Sequence, residues 1–273
     1  MAQQHQLLVI DNPEKLLHVS TRRTFLKTLA AGGTIVMLPS LFGARGAGSE
    51  VNPSAWRNGI QLDLSTDTGI LNYAFALEQF EAAFYTAVVA SAGFRTFTPE
   101  QQEVFADLRN HEVIHREFLR AALGKSAIPA IELNRTALAT ATGDIATVLR
   151  SAESLEDLGV SAFNGAGKYL TDAAHLTLAG KIVSVEARHA AAIRDMRDAM
   201  GVVTGAAAGT RFAGDDVVKP PGDAYQGLDV KLEPGAVLTR AAATGLLSTP
   251  VSIAKPPRAA KGTPDSGPPS PTP

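Results

Sequence analysis

A chain of 273 residues that is 45% hydrophobic and 19% charged has enough apolar material for a real core, which excludes a mainly disordered protein. A formal net charge of -2 provides no global positive field, so neither nucleic acid nor an anionic membrane is an expected partner. Cysteine is absent, which rules out disulfides, thiolate metal sites and cysteine nucleophiles and leaves carboxylate and imidazole as metal ligands.

Near the N-terminus, Thr21-Arg22-Arg23-Thr24-Phe25-Leu26-Lys27 precedes an apolar run from Leu29 to Phe42 that contains Gly32, Gly33 and Pro39. A basic segment, a modest apolar stretch and small residues after it make an export signal. The paired arginines followed by Phe-Leu-Lys resemble the twin-arginine pathway consensus, with Thr21 where serine is commoner. Residues 1–48 are therefore expected to be a twin-arginine signal segment, with cleavage between Ala44 and Ser49. This makes the twin-arginine export machinery a partner and gives an exported, periplasmic or extracytoplasmic destination. The alternative is an uncleaved anchor, for which the glycine-interrupted run lies at the short end for about 30 Å of hydrocarbon. Residues 49–64 read as a linker.

From Ser65 the pattern turns helical. Thr66-Asp67 offers an N-cap, and apolar residues recur through Ile70, Leu71, Ala74, Leu77, Phe80, Phe84 and Val88 until Gly93, which predicts a first helix. Thr98-Pro99-Glu100-Gln101 starts a second with a capping threonine, proline at the first helical position and acid in the first turn, and Gly124 stops it. So short a connection predicts an antiparallel hairpin. Lys125 to Asp144, with Pro129, Gly143 and several threonines, reads as a long crossover. A third helix is expected from about Asp144 to Leu170 and a fourth from Asp172 to Met200, with Gly201 as its stop. The fold class is thus all-α, a four-helix bundle over residues 65–200 made of two hairpins and a crossover. Residues 201–254 read as an irregular extension with a short helix from Pro234 to Leu247, and residues 255–273 as a disordered proline-rich tail.

The second helix carries Glu112-x-x-His115 and the fourth Glu186-x-x-His189. Residues three apart share a helix face, so each pair presents a carboxylate and an imidazole to one inward point. Comparing the other two helices supplies more acid. Leu77-Glu78 and Leu155-Glu156 are each followed by an aromatic seven residues after the glutamate, Tyr85 and Phe163, so the hairpins look like diverged copies. Burying four carboxylates without partners would be prohibitive unless cations neutralise them, so metal is the simplest resolution.

Here the sequence resembles the ferritin-like di-iron family, and its phrases around Glu78 and Glu186 are most similar to an exported, desiccation-related bacterial branch of it. The family pattern is one glutamate from each of two helices and Glu-x-x-His from each of the others. Carried over, Glu78 and Glu156 match the single glutamates, and Glu112, His115, Glu186 and His189 match the pairs. The implied cofactor is two iron ions, or manganese, in a hard, oxygen-rich site. Glu153, one turn before Glu156, and Glu81, one turn after Glu78 on the same face, are competing acids that could replace or supplement those two. The preferred reading places Glu81, Glu153 and His111 on solvated faces, with His111 incidental or behind a ligand, and takes Tyr85 as a packed aromatic with its hydroxyl near a ligand.

His111-Glu112-Val113-Ile114-His115 also spells a zinc-protease motif, but that reading leaves Glu78, Glu156 and Glu186-x-x-His189 unexplained. Two functions remain open: oxidoreductase chemistry on dioxygen, peroxide or iron(II), and a non-enzymatic metal-binding, stress-protective role. A homodimer is compatible with these residues. A closed storage shell is not expected, given the long additions at both ends.

Overall fold

The computed structural model of the chain describes residues 7–10, 34–37, 59–202 and 229–258. Arg22 and Arg23, on which the export reading rests, lie outside them, as do residues 259–273 of the tail. Strands β1 (Leu7–Ile10) and β2 (Thr34–Met37) form a parallel pair. Among the described residues no helix is long and apolar enough to cross a membrane.

Four long helices form where the start and stop signals stand. Helix α1 (Asp67–Ala90) is capped by the Thr66 hydroxyl, which accepts from the Gly69 amide at 3.1 Å. Helix α2 (Pro99–Leu123) begins with a complete capping box between Thr98 and Gln101 and ends at Gly124, whose φ of 53° suits a residue without a Cβ. The expected crossover contains a short helix, α3 (Arg135–Ala141), capped by Asn134. Helix α4 (Ile145–Ala166) starts at the Asp144 cap and α5 (Ala173–Ala199) at the Asp172 cap. The first and third helices stop short of the expected Gly93 and Leu170, each followed by a tighter 3₁₀ turn, Gly93–Thr96 and Gly167–Tyr169.

Helices α1 and α2 form one hairpin and α4 and α5 the other, and the two meet through α1 against α4 and α2 against α5. The all-α bundle expected from the sequence is therefore present. Asp67, at the start of α1, accepts from the Thr171 and Asp172 amides at 2.9 Å each, so one carboxylate ties the beginnings of α1 and α5 together.

Helix α1 is buried on nearly every side, and the crossover explains how. Asn72 donates to the Ser126 carbonyl at 2.9 Å and accepts from the Ile128 amide at 2.8 Å, while Gln79, two turns on, does the same with Pro129 and Ile131. These two amides supply the hydrogen bonds that irregular backbone laid over a helix would otherwise lack.

The linker and the irregular extension require correction. Ile60–Asp63, within the expected linker, is strand β3, and it pairs in parallel with β4 (Val251–Lys255), which spans the junction between the expected extension and tail. The alternation of Ile60, Gln61, Leu62, Asp63 and Leu64 is a half-buried strand pattern, and Ile60, Leu62 and Leu64 are each buried. The expected short helix is α6 (Pro234–Ala243), which packs on α4. The Leu232 amide donates to the Ser161 carbonyl at 3.0 Å, and the Leu232 carbonyl lies so close to Gly165 that a Cβ there would stand 1.8 Å from it. Residues 229–258 are thus a strap along the bundle.

Candidate metal centre

Helix α1 brings Glu78, α2 brings Glu112 and His115, α4 brings Glu156, and α5 brings Glu186 and His189, and the structure gathers all six in the middle of the bundle. Each of the four glutamates is 0% exposed and His189 is 4% exposed. Their carriers are helices of similar length in two hairpins, so a glutamate midway along each arrives at a common level. The three-residue step then stacks each histidine against the acid of its own helix.

The imidazoles divide the carboxylates between them. His115 Nδ1 lies 3.3 Å from Glu78, 3.6 Å from Glu112 and 3.0 Å from Glu186. His189 Nδ1 lies 2.7 Å from Glu112, 3.4 Å from Glu156 and 3.8 Å from Glu186. Two donor groups result: Glu78, Glu112, His115 and Glu186 in one, and Glu112, Glu156, Glu186 and His189 in the other, the ligand atoms of each lying within 4.8 Å of one another. Glu112 and Glu186 belong to both.

Proximity here does not amount to hydrogen bonding. Both oxygens of Glu78, Glu112 and Glu186, Oε2 of Glu156, and Nδ1 of His115 and His189 are buried with no aligned partner. The one oxygen of the set with a regular donor is Glu156 Oε1, which accepts from the buried Tyr85 hydroxyl. The expected placement of Tyr85 beside a ligand candidate is therefore correct. Burial pushes its hydroxyl well above the ordinary range, and the neighbouring Glu156 charge adds to the shift.

So many acids in a dry space cannot all stay ionised. Burial pushes the Glu78 carboxyl well above the usual range despite the opposing His115, and drives Glu156 up to about 8 despite His189. Burial also opposes ionisation of Glu112, but the imidazoles of His115 and His189 outweigh it and hold that carboxyl below the usual range. For the imidazoles the balance runs the other way. Burial favours their neutral form, yet the Glu78 charge lifts His115 well up and the Glu156 charge lifts His189 to about 12. Protons and imidazolium charge supply what cations would otherwise supply.

One residue read as solvated belongs elsewhere. Glu81 is 3% exposed, not on a solvated face, and burial together with the Glu186, Glu112, Glu78 and Glu156 charges pushes its carboxyl well up. Sequence spacing held a signal for it, since Glu81 follows Glu78 by one turn on the same face. His111 is exposed, but its ring stacks on His189 and the two approach at 2.9 Å, Nδ1 to Nε2. It therefore braces a site residue from outside. Neither donor group includes His111, so the zinc-protease pairing with His115 finds no support. Glu153 is partly exposed and pairs with Arg197.

The donor set is compatible with a metal-binding site. It is carboxylate and imidazole throughout, and its atoms converge at a buried point without satisfying one another. Residues 66–199, the whole four-helix bundle, match the model of one protein family, described as a ferritin-like domain. No curated protein matches the chain.

Proposed function

We propose that the ferritin-like domain at residues 66–199 holds two divalent metal ions, iron or manganese, and uses them in oxidoreductase chemistry on dioxygen, peroxide or iron(II). The observation that supports this most directly is the sharing of Glu112 and Glu186 between both donor groups. A carboxylate has two oxygens and can bridge, so two shared glutamates suit a pair of adjacent ions with one histidine each. Four carboxylate charges also balance two divalent cations, which removes the electrostatic cost of burying the acids together.

The protein's own part follows from the contacts. Glu78 and Glu156 would each serve one ion, with the Tyr85 hydroxyl orienting Glu156. His111, stacked on His189, fixes the direction of that ring so that Nδ1 faces inward. The buried rings of Phe84 and Phe105, packed on Tyr85, keep bulk water from that side of the cluster. Bound there, a pair of redox-active ions would supply one electron each to an oxidant.

Elemental analysis of the native protein tests the binding, with about two ions per chain expected and loss of both in a Glu112→Gln/Glu186→Gln variant. Aerobic iron(II) titration with oxygen-consumption readout tests the chemistry, and no consumption by fully loaded protein would end the oxidoreductase reading. The unpaired acids of the core also favour a second reading, in which metal mainly locks the bundle in a stress-protective protein. A large fall in melting temperature on chelation, without turnover, would select it. Export by the twin-arginine route is part of the proposal, and an Arg22→Lys/Arg23→Lys variant should stay in the cytoplasm; its normal export would remove that assignment.

A further inference from the structure

We propose that Glu81 is a further donor of this centre, a carboxylate held beside it in space that Gly159 leaves open. The inference rests on the dinuclear reading above. Glu81 is 3% exposed and its Oε2 has no hydrogen-bond partner. A Cβ on Gly159 would stand 2.7 Å from Glu81 Oε1 and 3.5 Å from Glu186 Oε2, so the two carboxylates border the same gap.

The internal likeness of the hairpins sharpens the point. With Glu78 aligned on Glu156, Glu81 aligns on Gly159: one helix adds a carboxylate where the other removes its side chain. A buried acid facing other acids is a poor way to fill a core, which an alanine or leucine would fill without cost. Chemistry gives it a use. Each donor group has four residues, whereas hard divalent ions favour six positions, and Glu81 is an acid beside Glu186, which both groups share. Glu81 lies outside both groups but borders the same gap as Glu186 Oε2.

Anaerobic cobalt(II) titration reads coordination number through the visible band, which is weak for six donors and stronger for fewer. Wild type is expected to bind about two ions with a weak band. Glu81→Gln should retain the stoichiometry but show a stronger band and about tenfold weaker affinity. Gly159→Ala keeps Glu81 but places a methyl group 2.7 Å from its Oε1, which displaces the carboxylate, so it should move the band the same way, and it provides the same readout if Glu81→Gln does not fold. A folded Glu81→Gln protein with wild-type band and affinity overturns the inference while leaving the dinuclear reading intact. Failure of the wild type to bind cobalt overturns both.

Discussion

Glu153 and Glu156 stand one turn apart on α4, facing residues of α5, and their surroundings are opposite. Glu153 meets Arg197, and Arg194 pairs with Asp157, so both of these carboxylates face a guanidinium. Arg194 and Arg197 are themselves 8% and 5% exposed. Glu156, by contrast, meets two other glutamates of its donor group and shares His189 with both. The same two helices thus carry acids that are offset by arginines of the protein and acids that meet mainly one another. The first kind is neutralised within the chain, whereas the second is stable only with protons or cations to offset it.

Metal removal should separate the two most strongly. Ions present at a thousandfold excess over their Kd stabilise a folded protein by about 4 kcal/mol per site, so chelation should lower the melting temperature markedly. The loss should vanish in Glu112→Gln/Glu186→Gln. Arg197→Ala should behave in reverse: it takes the nearer guanidinium from Glu153, leaving Arg194 at 3.9 Å, and removes a buried stem, costing about 2 kcal/mol by urea unfolding whether metal is present or absent. If chelation weakened that penalty, the clusters would be coupled and the contrast drawn here would fail.

A smaller effect probes the hairpins. Tyr85 donates to Glu156, while its counterpart Phe163 has no hydroxyl to offer. Tyr85→Phe makes the first hairpin like the second and should weaken metal binding about tenfold, with about 1 kcal/mol lost from stability; isothermal titration and thermal unfolding read the two separately.

The least effect is expected at the solvent-facing limit of the paired class. The Lys255 ammonium, 2.6 Å from Asp63, holds that carboxyl down at about 2. A carboxyl with a lowered folded pKa contributes stability that is complete above its unfolded value, about 3.9, and is lost as pH falls toward 2. Wild type should therefore lose slightly more stability than Lys255→Met between pH 5 and 2. Because the pair is exposed, the difference should be about 0.5 kcal/mol, and high salt should erase it.

Much of this was legible in the residues. Thr66, Thr98, Asp144 and Asp172 announced helix starts because a cap acts on amides two or three positions away, and Gly124 announced an end for an equally local reason. The six site residues could be picked out because two Glu-x-x-His pairs and two matched glutamates recur on an internal repeat. Glu81 could not be placed that way, since its burial depends on what Gly159, on another helix, lacks. Asn72 and Gln79 gave no sign of holding the crossover, and β3 and β4 pair across 191 residues of chain, beyond the reach of any local signal.

The sequence by itself determined where the four long helices begin and the level at which each carries its acids, because capping and helical periodicity are short-range. Tertiary structure decided which acids face one another, which face a guanidinium, and which segments run over α1 as cover. Those outcomes depend on desolvation and on charges arriving from distant parts of the chain, and neither is written in any one stretch of it.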